Sequence, residues 1–280
     1  MERLEAHRLF FASLITASVG LPRGSRLEAA FASTPRERFV GPGPWRMFMA
    51  AGYIDTPTDD PAFLYQDVTV ALKAESQINN GQPTLHVACL ASLNPKEGEA
   101  VVHVGAGTGY YTALLAKLVG PSGSVDAYEI EPDLAQRATA NLADLSNATV
   151  HTRSASEGAL PECDVLYVSA GATGPLDSWL DALRPGGRLL VPVTPAQGAG
   201  GMLLVTRTSP DHFDARFVCR AMFIPCAGAR DEETARRLTE AFKREDFKDV
   251  KSLRRNTPPD ETCWCAGPGW WLSTSGGGSL

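Results

Sequence analysis

Nowhere in the 280 residues does an apolar run approach the roughly 18 that a membrane-spanning helix needs. The opening MERLEAHRLFF also lacks a basic leader followed by an apolar stretch and a cleavage site, so a cytoplasmic chain is expected. Basic residues are the minority. Twenty-six Lys plus Arg face 32 Asp plus Glu, a formal net charge of −6 that offers no cationic surface to nucleic acid or an anionic membrane. Cysteine is sparse: Cys89, Cys163, Cys219, Cys226, Cys263 and Cys265 are too few and too scattered for a disulfide scaffold. Cys263 and Cys265 have no second Cys/His pair at ligand spacing, so no metal site is expected. A G-x-S-x-G nucleophile elbow is missing, since Ser169-Ala170-Gly171 does not supply one, and no Gly-Lys-Ser/Thr phosphate loop occurs.

What is present is a chain rich enough in apolar residues, at 44%, to build a large core. Residues 3–18 place Leu4, Leu9, Phe10, Phe11, Leu14 and Ile15 at helical spacing, and residues 25–32 read as a second helix capped by Ser25 with Glu28 three places on. From Pro35 to Gly81 Pro and Gly punctuate the chain often, and within it the stretch DTPTDDP is expected to be a surface loop. From Val101 strands and helices alternate: strands at 101–104, 124–129, 148–152, 164–169 and 188–193, helices at 110–119, 132–144 and 176–183. Such alternation predicts an α/β fold, a doubly wound and mostly parallel Rossmann-like sheet, with strands at 202–207 and 213–223 forming an antiparallel edge. A helix over 231–245, a short strand in VKSLRR and a flexible STSGGGS tail complete the chain. Three segments are expected: 1–98 with the N-terminal helices and a substrate or lid segment, 99–227 as the core, and 228–280 as a C-terminal extension.

The most informative stretch is VVHVGAGTGYYTALLA, a buried strand running into Gly105, Gly107 and Gly109 and then a helix. Glycines at the carboxyl end of a strand let the backbone turn sharply and meet a ligand with no side chain between. Tyr110 stands where a dinucleotide fingerprint needs a small residue, which argues against a pyrophosphate on this helix. Glu129 ends the next strand, where a carboxylate can take both hydroxyls of a ribose.

VGAGTGYYT and YEIEP together resemble the first two motifs of the class I S-adenosylmethionine-dependent methyltransferases. That resemblance implies that Gly105, Ala106, Gly107, Thr108 and Gly109 face the methionine and ribose of S-adenosyl-L-methionine, that Glu129 holds the ribose diol and that Ile130 packs on adenine. The flanks TPRERFVGP, YIDTP, INNGQPTLHVACL, DVLYVSAGA and LRPGGRLLVPV are similar, in content and order, to the protein-L-isoaspartate O-methyltransferases over about residues 30–225. The implied activity is carboxyl methylation of isoaspartyl residues in damaged proteins or peptides. The resemblance assigns no oligomeric state.

Two positions depart from that family's pattern. Its hallmark Thr-Ile-Ser before Gln-Pro reads here Asn79-Asn80-Gly81, so Gly81 occupies the position of the serine that lies at the substrate carboxylate. Asn80, Gly81 and Gln82 are therefore the candidate catalytic residues, with Asn79 or Asn80 left to supply the polar contact. At the adenine, where the family has Gly-Asp-Gly, this chain has Arg153-Ser154-Ala155; Ser154 and Ala155 are the candidate contacts, and a neutral hydroxyl replaces a charged acceptor. Two alternatives stay open: a methyltransferase with another peptide or small-molecule acceptor, and an inactive donor-binding module whose C-terminal helix and Trp264, Trp270 and Trp271 bind a partner. The three tryptophans read first as a tail folded back on its own domain, His86 first as a packed core residue with lining the acceptor site as its alternative, and His103 as structural.

Overall fold

The computed structural model describes residues 3–209 and 212–276. The chain divides into two compact units, Met1–Gly98 with Ala106–Arg153 and Glu99–Gly105 with Ser154–Leu280. In chain order the elements are α1 (Arg3–Ser18), α2 (Arg26–Ala32), α3 (Glu37–Val40), β1 (Arg46–Met49), β2 (Gly52–Asp55), β3 (Thr69–Lys73), β4 (Ile78–Asn80) and α4 (Pro83–Leu93). There follow β5 (Ala100–Val104), α5 (Tyr110–Val119), β6 (Ser124–Tyr128), α6 (Pro132–Asn141), β7 (Ala148–His151), β8 (Cys163–Val168) and α7 (Asp177–Asp181). The chain continues through β9 (Leu183–Val193), β10 (Gly200–Ser209), β11 (His212–Ala221), α8 (Glu232–Lys243), β12 (Ser252–Arg255), β13 (Cys263–Gly267) and β14 (Trp270–Ser273).

In the first unit, Ser25 caps α2 as expected, accepting from the Glu28 N–H. Helix α1 buries Phe11, Ala12, Ile15 and Thr16 but leaves Leu9, Phe10 and Leu14 exposed. The apolar residues wrap further round this helix than the stripe that one packed face can cover.

After β2 the DTPTDDP stretch runs as a loop over 56–60, as expected, and the punctuated region around it holds an antiparallel sheet in the order β2-β1-β3-β4. Its strands span only three to five residues each, too short for an alternating pattern to show against the surrounding Pro, Gly and Asp. Val40, Trp45, Leu64 and Val70 form its core. Arg36, fully buried, donates to the carbonyls of Leu64 (2.8 Å), Gln66 (3.1 Å) and Val68 (2.6 Å), so the turn before β3 is held from inside. Strands β6 and β7 pair in parallel in the same unit.

The second unit pairs β5, β8 and β9 in parallel and continues antiparallel through β10, β11, β12, β14 and β13. The α/β alternation is as expected and the sheet is mixed. Strand β9 begins at Leu183 rather than Arg188, which cuts the expected helix over 176–183 to Asp177–Asp181. Gly186, at φ +79°, absorbs the irregularity without a side chain.

The C-terminal segment is more ordered than its composition suggests. Trp264, Trp270 and Trp271 are all buried, and Gly174 and Gly267 leave the room that Trp270 fills. The expectation of a flexible STSGGGS fails at its start: Ser273 is a buried residue of β14, and Ser252 donates to the Ser275 carbonyl at 2.7 Å. Pairing with β12 and β13 outweighs the weak strand propensity of these small residues. The end of the tail, 277–280, lies outside the described residues. Among the described residues no helix is long and apolar enough to cross a membrane, and no group of three His, Cys, Asp or Glu side chains is placed to hold a metal ion.

Candidate active site

The glycine loop forms as its sequence requires. Gly105, Gly107 and Gly109 all have positive φ, at +76°, +57° and +93°. A Cβ on Gly109 would lie 3.0 Å from Leu142 Cδ1, and one on Gly107 would lie 3.3 Å from Leu72 Cδ1 of β3. These glycines satisfy a backbone conformation that L side chains rarely adopt and keep Cβ atoms off the loop at three positions. Ala106 donates its N–H to the Tyr128 carbonyl at 3.1 Å, and the Thr108 hydroxyl donates to the Phe39 carbonyl, which ties the loop to α3.

Glu129 follows β6 and is 6% exposed. Its carboxylate accepts the Gly107 N–H at 2.6 Å and the Glu131 N–H at 2.9 Å. Burial pushes the carboxyl above its ordinary pKa, and the backbone donors oppose that shift. An acidic group is thus kept, oriented and largely dry, against the loop. Next to it Ile130 is half exposed, at 50%.

The Asn79-Asn80-Gly81-Gln82 segment lies where β4 passes into α4. Gly81 accepts the Tyr111 hydroxyl on its carbonyl at 2.7 Å, which ties this segment to the first turn of the helix after the glycine loop. His86 is buried and its ring stacks on Tyr111, with centroids 3.5 Å apart and planes 9° from parallel. Asn80 is also buried, and its Oδ1 has no hydrogen-bond partner. Gln82 donates to Asp67 at 2.9 Å, and the other Asp67 oxygen accepts the Thr84 N–H at 2.7 Å at the start of α4. Tyr53 donates to Asn79 Oδ1 at 2.8 Å.

Asn80, Gly81, Gln82, Ala106, Gly107, Thr108, Gly109, Glu129 and Ile130 all belong to the first unit; Gly105, Ser154 and Ala155 belong to the second. In the second unit the Ser154 hydroxyl is 2.7 Å from Ser156 Oγ and accepts the Ser156 N–H at 3.1 Å, while the Ala155 carbonyl accepts the Trp179 indole N–H at 2.9 Å. His103 is buried beside Ser169, at 3.1 Å, and stacked on Tyr167, as a structural residue should be. Asp55 is exposed and accepts from Arg46 across the β1–β2 pair. Sequence reasoning missed Tyr111 and Asp67. Tyr111 stood inside the quoted glycine motif, whereas Asp67 sits in a stretch with no periodicity to mark it.

A family model described as protein-L-isoaspartate(D-aspartate) O-methyltransferase matches residues 19–231. The chain belongs to the protein-L-isoaspartate O-methyltransferase family. The match takes in every candidate site residue and leaves α8 and β12 to β14 outside. Among relatives of that name, one from Brucella anthropi is 30% identical over 206 residues, covering 73% of this chain and 86% of its own. One from Anaeromyxobacter dehalogenans is 34% identical over 209 residues, covering 72% and 90%. A solved protein-L-isoaspartate O-methyltransferase shares the fold with a TM-score of 0.67 at 21% identity, over 84% of this chain and 69% of that one. A Plasmodium falciparum structure described as such an enzyme in complex with S-adenosyl-L-homocysteine has a TM-score of 0.64 at 15% identity, over 79% and 98%.

Proposed function

We propose that this chain transfers the methyl group of S-adenosyl-L-methionine to the free carboxylate of isoaspartyl residues in proteins or peptides. The observation that carries the reading is Glu129, a buried carboxylate fixed by the Gly107 and Glu131 amides beside a loop of three positive-φ glycines. These residues fit the donor: a ribose diol needs an oriented acceptor, and the nucleoside needs backbone without side chains in its way. Ile130 is proposed against adenine, and Gly105, Ser154 and Ala155 are proposed as further donor contacts on the resemblance.

When bound, S-adenosyl-L-methionine supplies an electrophilic methyl group on a sulfonium. The acceptor carboxylate is already ionised at neutral pH, so no general base has to remove a proton. What remains for the protein is placement and exclusion of water. Tyr111 and Asp67 do the placing, the first by holding the Gly81 carbonyl and the second by holding Gln82 and the Thr84 amide. A backbone-built site tolerates glycine at position 81 because no side chain there has to move a proton.

We further propose that residues 1–98 carry the acceptor side, 99–227 the donor core and 228–280 an extension, and that the chain works in the cytoplasm on protein or peptide substrates. The acidic balance of the sequence supports this over a nucleic-acid or membrane partner. The test is incubation with methyl-labelled donor and an isoaspartyl peptide. A base-labile methyl ester is expected. Donor binding without any ester would overturn the reading, and a base-stable label would move the acceptor to another class.

A further inference from the structure

Gly81 is not a glycine for the sake of its backbone, since its φ lies outside the left-handed region that favours glycine. What excludes a side chain is His86. A Cβ on Gly81 would lie 2.2 Å from His86 Nε2, 2.9 Å from Cδ2 and 3.3 Å from Cε1. The imidazole therefore occupies the volume that a side chain at position 81 would use. It cannot yield cheaply: the ring is buried, sits on the first turn of α4's path from Gln82 and is stacked face to face on Tyr111. Tyr111 is itself held to Gly81 through its hydroxyl, so Gly81, His86 and Tyr111 form one packed unit.

We propose that His86 takes the place of the missing side chain at position 81, filling its space and presenting an imidazole nitrogen to the acceptor carboxylate where a hydroxyl would otherwise stand. The inference rests on the carboxyl-methyltransferase reading above and adds what that reading leaves open, namely which side chain meets the acceptor. An imidazole N–H is a directional donor to a carboxylate, and a ring fixed by stacking loses little freedom when it makes that bond. The glycine and the histidine are then one substitution in two parts: each is acceptable only with the other.

The experiment uses the full-length protein with Gly81→Ser, His86→Ala and the double variant. Four quantities are read: donor affinity by calorimetry, thermal midpoint, and the kcat and KM for an isoaspartyl peptide. Gly81→Ser alone is expected to lower the midpoint and to reduce kcat/KM by about tenfold or more, because the serine displaces the ring. His86→Ala alone is expected to raise the peptide KM by about tenfold, with donor affinity within about twofold of the parent. The double variant should recover both the midpoint and kcat/KM to within about threefold of the parent. A His86→Ala protein with unchanged peptide KM, or a double variant no better than His86→Ala, overturns the proposal. Failure of the wider reading looks different, since the parent itself would then bind donor and form no ester, and the recovery of the midpoint in the double variant would still report whether the two positions are coupled.

Discussion

The Gly107 backbone N–H donates to the Glu129 carboxylate at 2.6 Å, so the residue proposed to hold the ribose is already positioned by the loop proposed to hold the rest of the donor. In sequence this bond reaches across helix α5 and strand β6, and it makes the glycine loop and the acidic strand end a single structural feature.

Glu129→Ala removes that acceptor. The variant is expected to bind S-adenosyl-L-methionine more weakly by about 1–3 kcal/mol, a rise of roughly five- to hundredfold in Kd, which isothermal titration measures directly. Unchanged affinity would take Glu129 out of the donor site.

His103 predicts a pH dependence of stability. Burial lowers its pKa from the ordinary 6.5 to about 3. Between those two values the unfolded chain holds a proton that the folded chain does not, so stability rises with pH across this window. The contribution is therefore complete above pH 6.5 and is lost as pH falls toward 3. Denaturant unfolding at several pH values should show His103 adding up to about 1.4 kcal/mol per pH unit to the slope. A His103→Phe variant should lack that part of the slope; the same slope in both proteins would mean that His103 titrates normally.

Trp270 tests whether the C-terminal extension is part of the second unit's core. It fills space that Gly174 and Gly267 leave open: a Cβ on Gly174 would lie 2.1 Å from its Cζ2, and one on Gly267 would lie 2.6 Å from the same ring. Trp270→Ala is expected to cost about 3–5 kcal/mol in chemical unfolding. A loss below about 1 kcal/mol would show the tail to be a loose appendage.

The parts of the fold that were legible in the sequence are those whose burial leaves a mark on composition. Strands β5 and β8 read as mostly apolar runs because packing on both faces leaves few polar positions, and the alternation with helices sets the fold class. Strands β1 to β4 were not legible, because each is too short for its period to rise above the Pro, Gly and Asp around it. The tryptophan-rich tail hid two strands for a related reason: pairing with β12 holds segments that local propensity does not.

The site divides along the same line. The sequence by itself determined the glycine loop, since glycine adopts the positive φ values at 105, 107 and 109 without the strain an L side chain would meet, and it determined the acidic residue at the end of the next strand. Tertiary structure alone decided that the Glu129 carboxylate points at the Gly107 amide, that Tyr111 holds the Gly81 carbonyl and that His86 fills the space beside Gly81. The physical reason is range. Backbone conformation is a property of a residue and its neighbours, whereas the space beside a glycine is set by whatever the packed chain brings against it.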